Sequence, residues 1–102
     1  MNVFKGKSFD ASTAWTGPTI ATIPNAVVKL RWTDRPFRWH VNTGEEVFAV
    51  VDGIVDMHYR EHGEEKVVTL HAGDLLHIGE GEEHVAHPRG EARILVVEQS
   101  KN

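Results

Sequence analysis

The stretch VFAVVDGIVDMHY, residues 47–59, decides the fold. Two apolar runs flank Asp52-Gly53, and an Asp-Gly pair in that setting favours a two-residue type I′ hairpin. On that pairing Val51 faces Ile54, Val50 pairs with Val55, Phe48 with Met57, and Glu46 with Tyr59. Side chains alternate along a strand, so these inner pairs share one face. Val47, Ala49, Val51 and Ile54 share the other. The run 47–51 is therefore apolar on both sides. One face lines an interior and the other needs cover. A second subunit in a homodimer is the expected cover. Packing by the N-terminal segment is the alternative within the chain.

The same rhythm extends outward in both directions. Runs with strand character cover 19–23, 26–32, 37–41, 47–51, 54–59, 66–70, 75–78, 84–86 and 92–98. Turn signals separate them, among them Pro24-Asn25, His62-Gly63, Ala72-Gly73-Asp74 and Pro88-Arg89-Gly90. No helical apolar period of useful length interrupts them. Many short strands at this spacing predict an all-β sandwich or barrel. One domain over 1–102 is expected, with a barrel core over about 19–98 and an N-terminal arm over 1–18.

Composition narrows the function. The 102 residues are 40% hydrophobic and 25% charged, with a net charge of −4. A chain of this length buries roughly 60–70% of its unfolded surface, enough for one modest core. Scattered charge of both signs gives no footprint for nucleic acid or anionic lipid. The absence of cysteine excludes disulfides, thiolate catalysis and cysteine-bound metal. No run approaches the ~18 apolar residues of a membrane span, and no signal-peptide core is visible, so a cytoplasmic location is expected. Nucleophile-elbow, phosphate-loop and dinucleotide motifs are absent.

The chemistry gathers around WHVNTGEEVF, residues 39–48. His40 and Asn42 lie two apart on one strand face. Glu46 follows a short turn, in phase with Phe48 and Val50. A carboxylate among inward apolar side chains is costly unless it is paired or binds a cation. His84 begins a later strand, after the turn Gly79-Glu80-Gly81. Two imidazoles and one carboxylate on neighbouring strands form a set suited to Fe(II), with Mn, Ni and Zn also accommodated.

The chain resembles the cupin superfamily, small β-barrels of jelly-roll type with two sequence motifs. The first, G-x5-H-x-H-x3/4-E-x6-G, falls on His40, Glu46 and Gly53. The second, G-x5-P-x-G-x2-H-x3-N, falls on Gly73, Gly81 and His84. The match runs from Asp34 to Pro88. Asp34, Asn42, Gly79 and Pro88 depart from the pattern. The resemblance implies a divalent metal held by His40, Glu46 and His84. Asn42 stands where a second metal histidine is expected, and an amide oxygen is a weaker ligand than imidazole. Two functional classes follow. One is a metal-dependent oxygenase, isomerase or lyase acting on a small organic substrate. The other is a metal-poor cupin that binds a small ligand or acts as a sensor.

Phe48, Met57 and Tyr59 are expected to line the cavity. Arg38, in phase with His40, is a candidate for holding an anionic substrate, against a plain surface role. His77 lies on a strand whose face the sequence leaves open. It is either a cavity residue or a surface one. Glu45 should point away from Glu46. His58, His62, His71 and His87 read as exposed, and Asp74 as a backbone acceptor in its turn. Trp39 is assigned to packing, and Trp15 has no place.

Overall fold

A computed structural model describes residues 1–100 as nine strands and no helix. They are β1 (Thr19–Ile23), β2 (Ala26–Thr33), β3 (His40–Val41), β4 (Glu46–Asp52), β5 (Ile54–Glu61), β6 (Glu64–His71), β7 (Leu75–Ile78), β8 (Glu83–Pro88) and β9 (Ala92–Gln99). Each falls on a run read from the sequence. Two antiparallel sheets face each other, with strand orders β1-β2-β9-β4-β7 and β3-β8-β5-β6. The all-β jelly-roll expectation holds.

The alternation along β4 and β5 fixes what lies between the sheets. Phe48, Val50, Val55 and Met57 all point inward, and Met57 is only 1% exposed. Leu70, Ile78, Ala92 and Ile94 complete the core. Each large buried side chain contributes roughly 1.5–3 kcal/mol of transfer free energy.

The hairpin expected at Asp52-Gly53 does not form. β4 pairs with β7 on one edge and β9 on the other, while β5 pairs with β6 and β8. Neither strand has a free edge for the other, so the Asp-Gly turn carries the chain from one sheet to the opposite one. The faces read from alternation survive this change, because both strands still aim the same side chains inward. The pairs themselves do not: Phe48 and Met57 belong to opposed sheets and are not cross-strand neighbours. Gly53 has φ +90°, and a Cβ there would lie 2.5 Å from the Glu91 carbonyl oxygen.

The outer face of the first sheet is covered within the chain over much of its area. Leu30 points outward yet is 3% exposed. The N-terminal arm lies over it. A Cβ on Gly6 would sit 3.1 Å from Val51 and 3.8 Å from Leu30. Backbone bonds between Trp15 and Trp32, and between Thr16 and Trp32, lay the arm along β2. Arg93 fastens it from β9, donating to the Phe9 carbonyl, to Asp10 at 2.8 Å and to Asp52 at 2.8 Å. Ala49 is buried and Val51 half-buried, so these two are not the bare dimer contacts expected of them. Val47 and Leu75 stay exposed on that face.

Gly63 is also in the left-handed region, at φ +78°, but has open space around it. Gly63→Ala should cost about 1 kcal/mol of unfolding free energy, from backbone strain alone. Gly53→Ala should cost on the order of 3 kcal/mol, strain plus the clash with Glu91. Urea unfolding of both variants measures the difference, and equal losses would contradict the packed corner at Gly53.

Candidate metal and ligand site

The site starts at the short strand β3. His40 pairs with His84 and Val41 with Glu83. Two further bonds, Asn42 N–H to the Glu82 carbonyl (3.0 Å) and Gly81 N–H to the Asn42 carbonyl (2.8 Å), extend the pairing. Cross-strand partners share a face, so the two imidazoles meet edge-on with centroids 4.1 Å apart. Each uses Nδ1 on the carbonyl two residues before it. For His40 this is Arg38, at 3.0 Å, and for His84 it is Glu82, at 3.4 Å. With the proton on Nδ1, each Nε2 keeps its lone pair. Metal-binding histidines commonly show this arrangement, with one ring nitrogen fixed by a carbonyl and the other left as the donor.

Both rings line a cavity of about 190 Å³. Its floor is Phe48, Ala86 and Val96. Its outer wall is Trp15 and Phe37, in edge-on contact at 5.6 Å, with Phe37 also against His40 at 5.3 Å. Glu46, Glu98, Lys29 and Arg31 supply the charged part. Burial raises the Glu46 carboxyl to about 7. The neighbouring Glu98 adds to the rise, and Lys29 and a hydrogen bond from Asn42 oppose it. Burial, and then the neighbouring His40, push His84 below its ordinary value, which favours the neutral imidazole. Lys29 and Glu98 form an ion pair. Near neutral pH the cavity thus holds a carboxyl near its titration point and a neutral imidazole, a combination suited to moving protons.

The donors fit a divalent transition metal in kind: two imidazole nitrogens and a desolvated carboxyl. They do not close on a single point. Among the described residues no three His, Asp or Glu side chains converge closely enough to hold an ion. Asn42 is committed elsewhere. It is 8% exposed, and its Nδ2 donates to the Gly44 carbonyl at 2.8 Å. It shapes the turn between β3 and β4.

The residues expected around one cavity divide between two. Phe48 lines the first, with His40, Glu46 and His84. Met57 and Tyr59 line a second cavity of about 270 Å³, beside Val68, Leu76 and Ile78. His84 borders both. His77 turns its ring away from the imidazole pair. It pairs with outward-facing Val47, is largely exposed, and meets Glu45 at 2.9 Å. Its neighbours Leu76 and Ile78 take the inward positions, and His77 borders the second cavity from a largely exposed position at its rim. Arg38 is exposed, lies over the Phe37 ring at 5.6 Å and lines neither cavity. Glu45 points outward as expected, and Asp74 accepts from the His71 N–H at 2.7 Å.

Lys29, Arg31, Glu98, Trp15 and Phe37 were not anticipated. Lys29, Arg31 and Thr33 alternate with Leu30 and Trp32 along β2, and the polar set reads by default as the wet face. The structure reverses this. Lys29 stands opposite Val96 and Arg31 opposite Ile94 on the interior, while Leu30 and Trp32 lie outside under the arm. Alternation gives two faces but not which is inside.

No family model matches the chain, and no curated protein is similar to it. Solved structures are similar. A cupin-2 domain protein from Shewanella frigidimarina is 27% identical, covering 88% of this chain and 85% of that one, with a TM-score of 0.78. A cupin superfamily protein from Desulfitobacterium hafniense is 10% identical over 92% of this chain and 84% of that one, with a TM-score of 0.76. A hydroquinone 1,2-dioxygenase solved with Fe3+ is 14% identical over 89% of this chain but 29% of that one, with a TM-score of 0.79. The chain has the cupin fold.

The raised Glu46 value fixes a sign. The folded state holds the Glu46 proton more tightly than the unfolded chain does, so stability falls as pH rises from about 4.5 to about 7 and the penalty is complete above 7. His84 works oppositely, costing stability as pH falls below 6.5. Glu46→Gln isolates the first effect. In metal-free protein, urea unfolding should show the variant gaining about 2–3 kcal/mol on wild type between pH 5 and pH 8. A difference that stays constant over that range would contradict the buried carboxyl.

Proposed function

We propose that the protein holds one divalent transition metal through His40, His84 and Glu46 and binds a small organic molecule in the adjoining cavity. On this reading it is a metal-dependent enzyme of the oxygenase, isomerase or lyase kind. The observation that carries the reading is the imidazole pair, whose Nδ1 atoms are tied to backbone carbonyls and whose Nε2 atoms are left as donors. Glu46 adds the charge that a divalent ion requires, and it lines the cavity beside the two imidazoles. That a dioxygenase with the same fold was solved with Fe3+ supports metal chemistry on this scaffold.

When bound, the metal supplies a Lewis acid and, for iron or manganese, a redox centre. The chain supplies the rest. Phe48, Ala86 and Val96 exclude water from the floor. As ligands, Glu46 would serve as the carboxylate and His84 as the neutral imidazole. Lys29 balances Glu98, so the second carboxylate does not compete for the ion.

A second reading has its own support. Asn42 is tied to Gly44, and no three ligands converge among the described residues. A metal-poor cupin that binds a small ligand, or senses one, needs only the cavity. Metal analysis separates the two. Protein purified without a histidine tag or chelator, then supplied with Fe, Ni, Zn and Mn, should retain about one ion per chain. His40→Ala and His84→Ala should each lower the affinity at least about 10-fold. Protein that stays metal-free after all four ions, or variants that bind as wild type does, would overturn the metal reading.

A further inference from the structure

Lys29 and Arg31 occupy successive inward positions on β2, and both line the cavity. Their partners differ. The Lys29 ammonium is bonded to Glu98. Arg31 has no carboxylate partner among the described residues. Its Nη1 donates to the carbonyls of Gly17 at 2.8 Å and Leu30 at 3.0 Å. These bonds fix the guanidinium at the cavity wall and leave the Nε–Nη2 edge without an acceptor among the described residues.

That edge is the fork by which arginine takes a carboxylate side-on. This protein uses it twice elsewhere. Arg89 donates through Nε and Nη2 to both oxygens of Asp56, and Arg35 does the same to Asp34. Arg60 and Arg93 also meet carboxylates. Arg38 meets none, but it is exposed and outside the cavity. Arg31 is thus the half-buried arginine with an open fork, and it is the one that faces the cavity.

The same wall contains a second donor without an acceptor. The Trp15 ring lines the cavity, and its indole N–H is buried with no hydrogen-bond partner. Buried donors are paired in the great majority of cases. Both features call for an acceptor. Opposite them the floor is hydrocarbon, from Phe48, Ala86 and Val96. At about 190 Å³ the cavity is smaller than the ~300 Å³ at which drug-sized pockets begin, so the ligand is small.

We propose that this cavity takes a small carboxylic acid with an apolar body. The carboxylate sits on the Nε–Nη2 edge of Arg31, and the body lies against Phe48, Ala86 and Val96. The inference rests on the reading of this cavity as the ligand site, and it adds the chemical class of the ligand. It does not depend on a metal.

Butyrate and benzoate, set against butyramide and benzamide, test it. Each pair shares its body and differs in charge. Titrations followed by amide chemical shifts give both affinity and place, in metal-free and in zinc-supplied protein. The acids should bind at least about tenfold tighter than the amides in either form, with shifts centred on His40, His84 and Phe48. Arg31→Met should abolish the preference for the acids over the amides. Arg31→Lys should keep part of it, because the charge remains and the fork is lost. Amides binding in the cavity as tightly as acids would overturn the acid assignment and leave the cavity reading intact. So would a preference that survives Arg31→Met. Shifts that fall elsewhere, or no binding by any of the four, would overturn both. The acid-to-amide comparison in wild-type protein needs no variant to fold.

Discussion

The site depends on one constraint. Glu46 occupies the same inward row of β4 as Phe48 and Val50. Strand geometry gives it no choice of side, because the period of two that buries Phe48 also turns Glu46 inward. At Phe48 and Val50 the two sheets close on hydrocarbon. Two residues earlier, the layer meets Glu98 from β9 and Lys29 from β2. The sandwich is therefore dry at one end and polar at the other. The cost of placing the carboxyl there appears as a proton held up to about pH 7. The cavity, the ion pair and the two histidines all gather at the end where hydrocarbon packing stops.

The short strand β3 then turns this polar end into a site. Two paired residues are too few to be stable alone, so β3 relies on its bonds to β8 and on Asn42. Asn42 bridges Glu82 and Gly81 through its backbone and reaches Gly44 through its amide. It stands where the cupin pattern has a histidine, and here its bonds to Glu82 and Gly81 extend the pairing that holds His40 beside His84. The departure from the pattern has a structural use, whatever it takes from metal affinity.

Much of this was legible in the sequence. Strand boundaries followed from turn residues and apolar runs. The inward row of Glu46, Phe48, Val50, Val55 and Met57 followed from alternation. What alternation could not supply was pairing. Asp52-Gly53 carries a strong hairpin signal, yet β4 and β5 lie in opposite sheets. Residues 92–99 and 75–78, distant in the chain, take both edges of β4. Pairing is a long-range competition that a local turn does not decide. The same limit explains Lys29 and Arg31. A polar row on one strand reads as solvent-facing until the arm that covers the other row is known. It also explains His77, whose strand is apolar on both neighbouring positions and so carries no sign of its face.

The account rests on His40 and His84 acting together as nitrogen donors. X-ray absorption at the zinc K-edge, on protein loaded with one equivalent of zinc, tests this directly. The account predicts outer-shell scattering from two imidazoles, falling to one in either His40→Ala or His84→Ala. A shell of oxygen donors without imidazole, or an imidazole count unchanged in both variants, would contradict it.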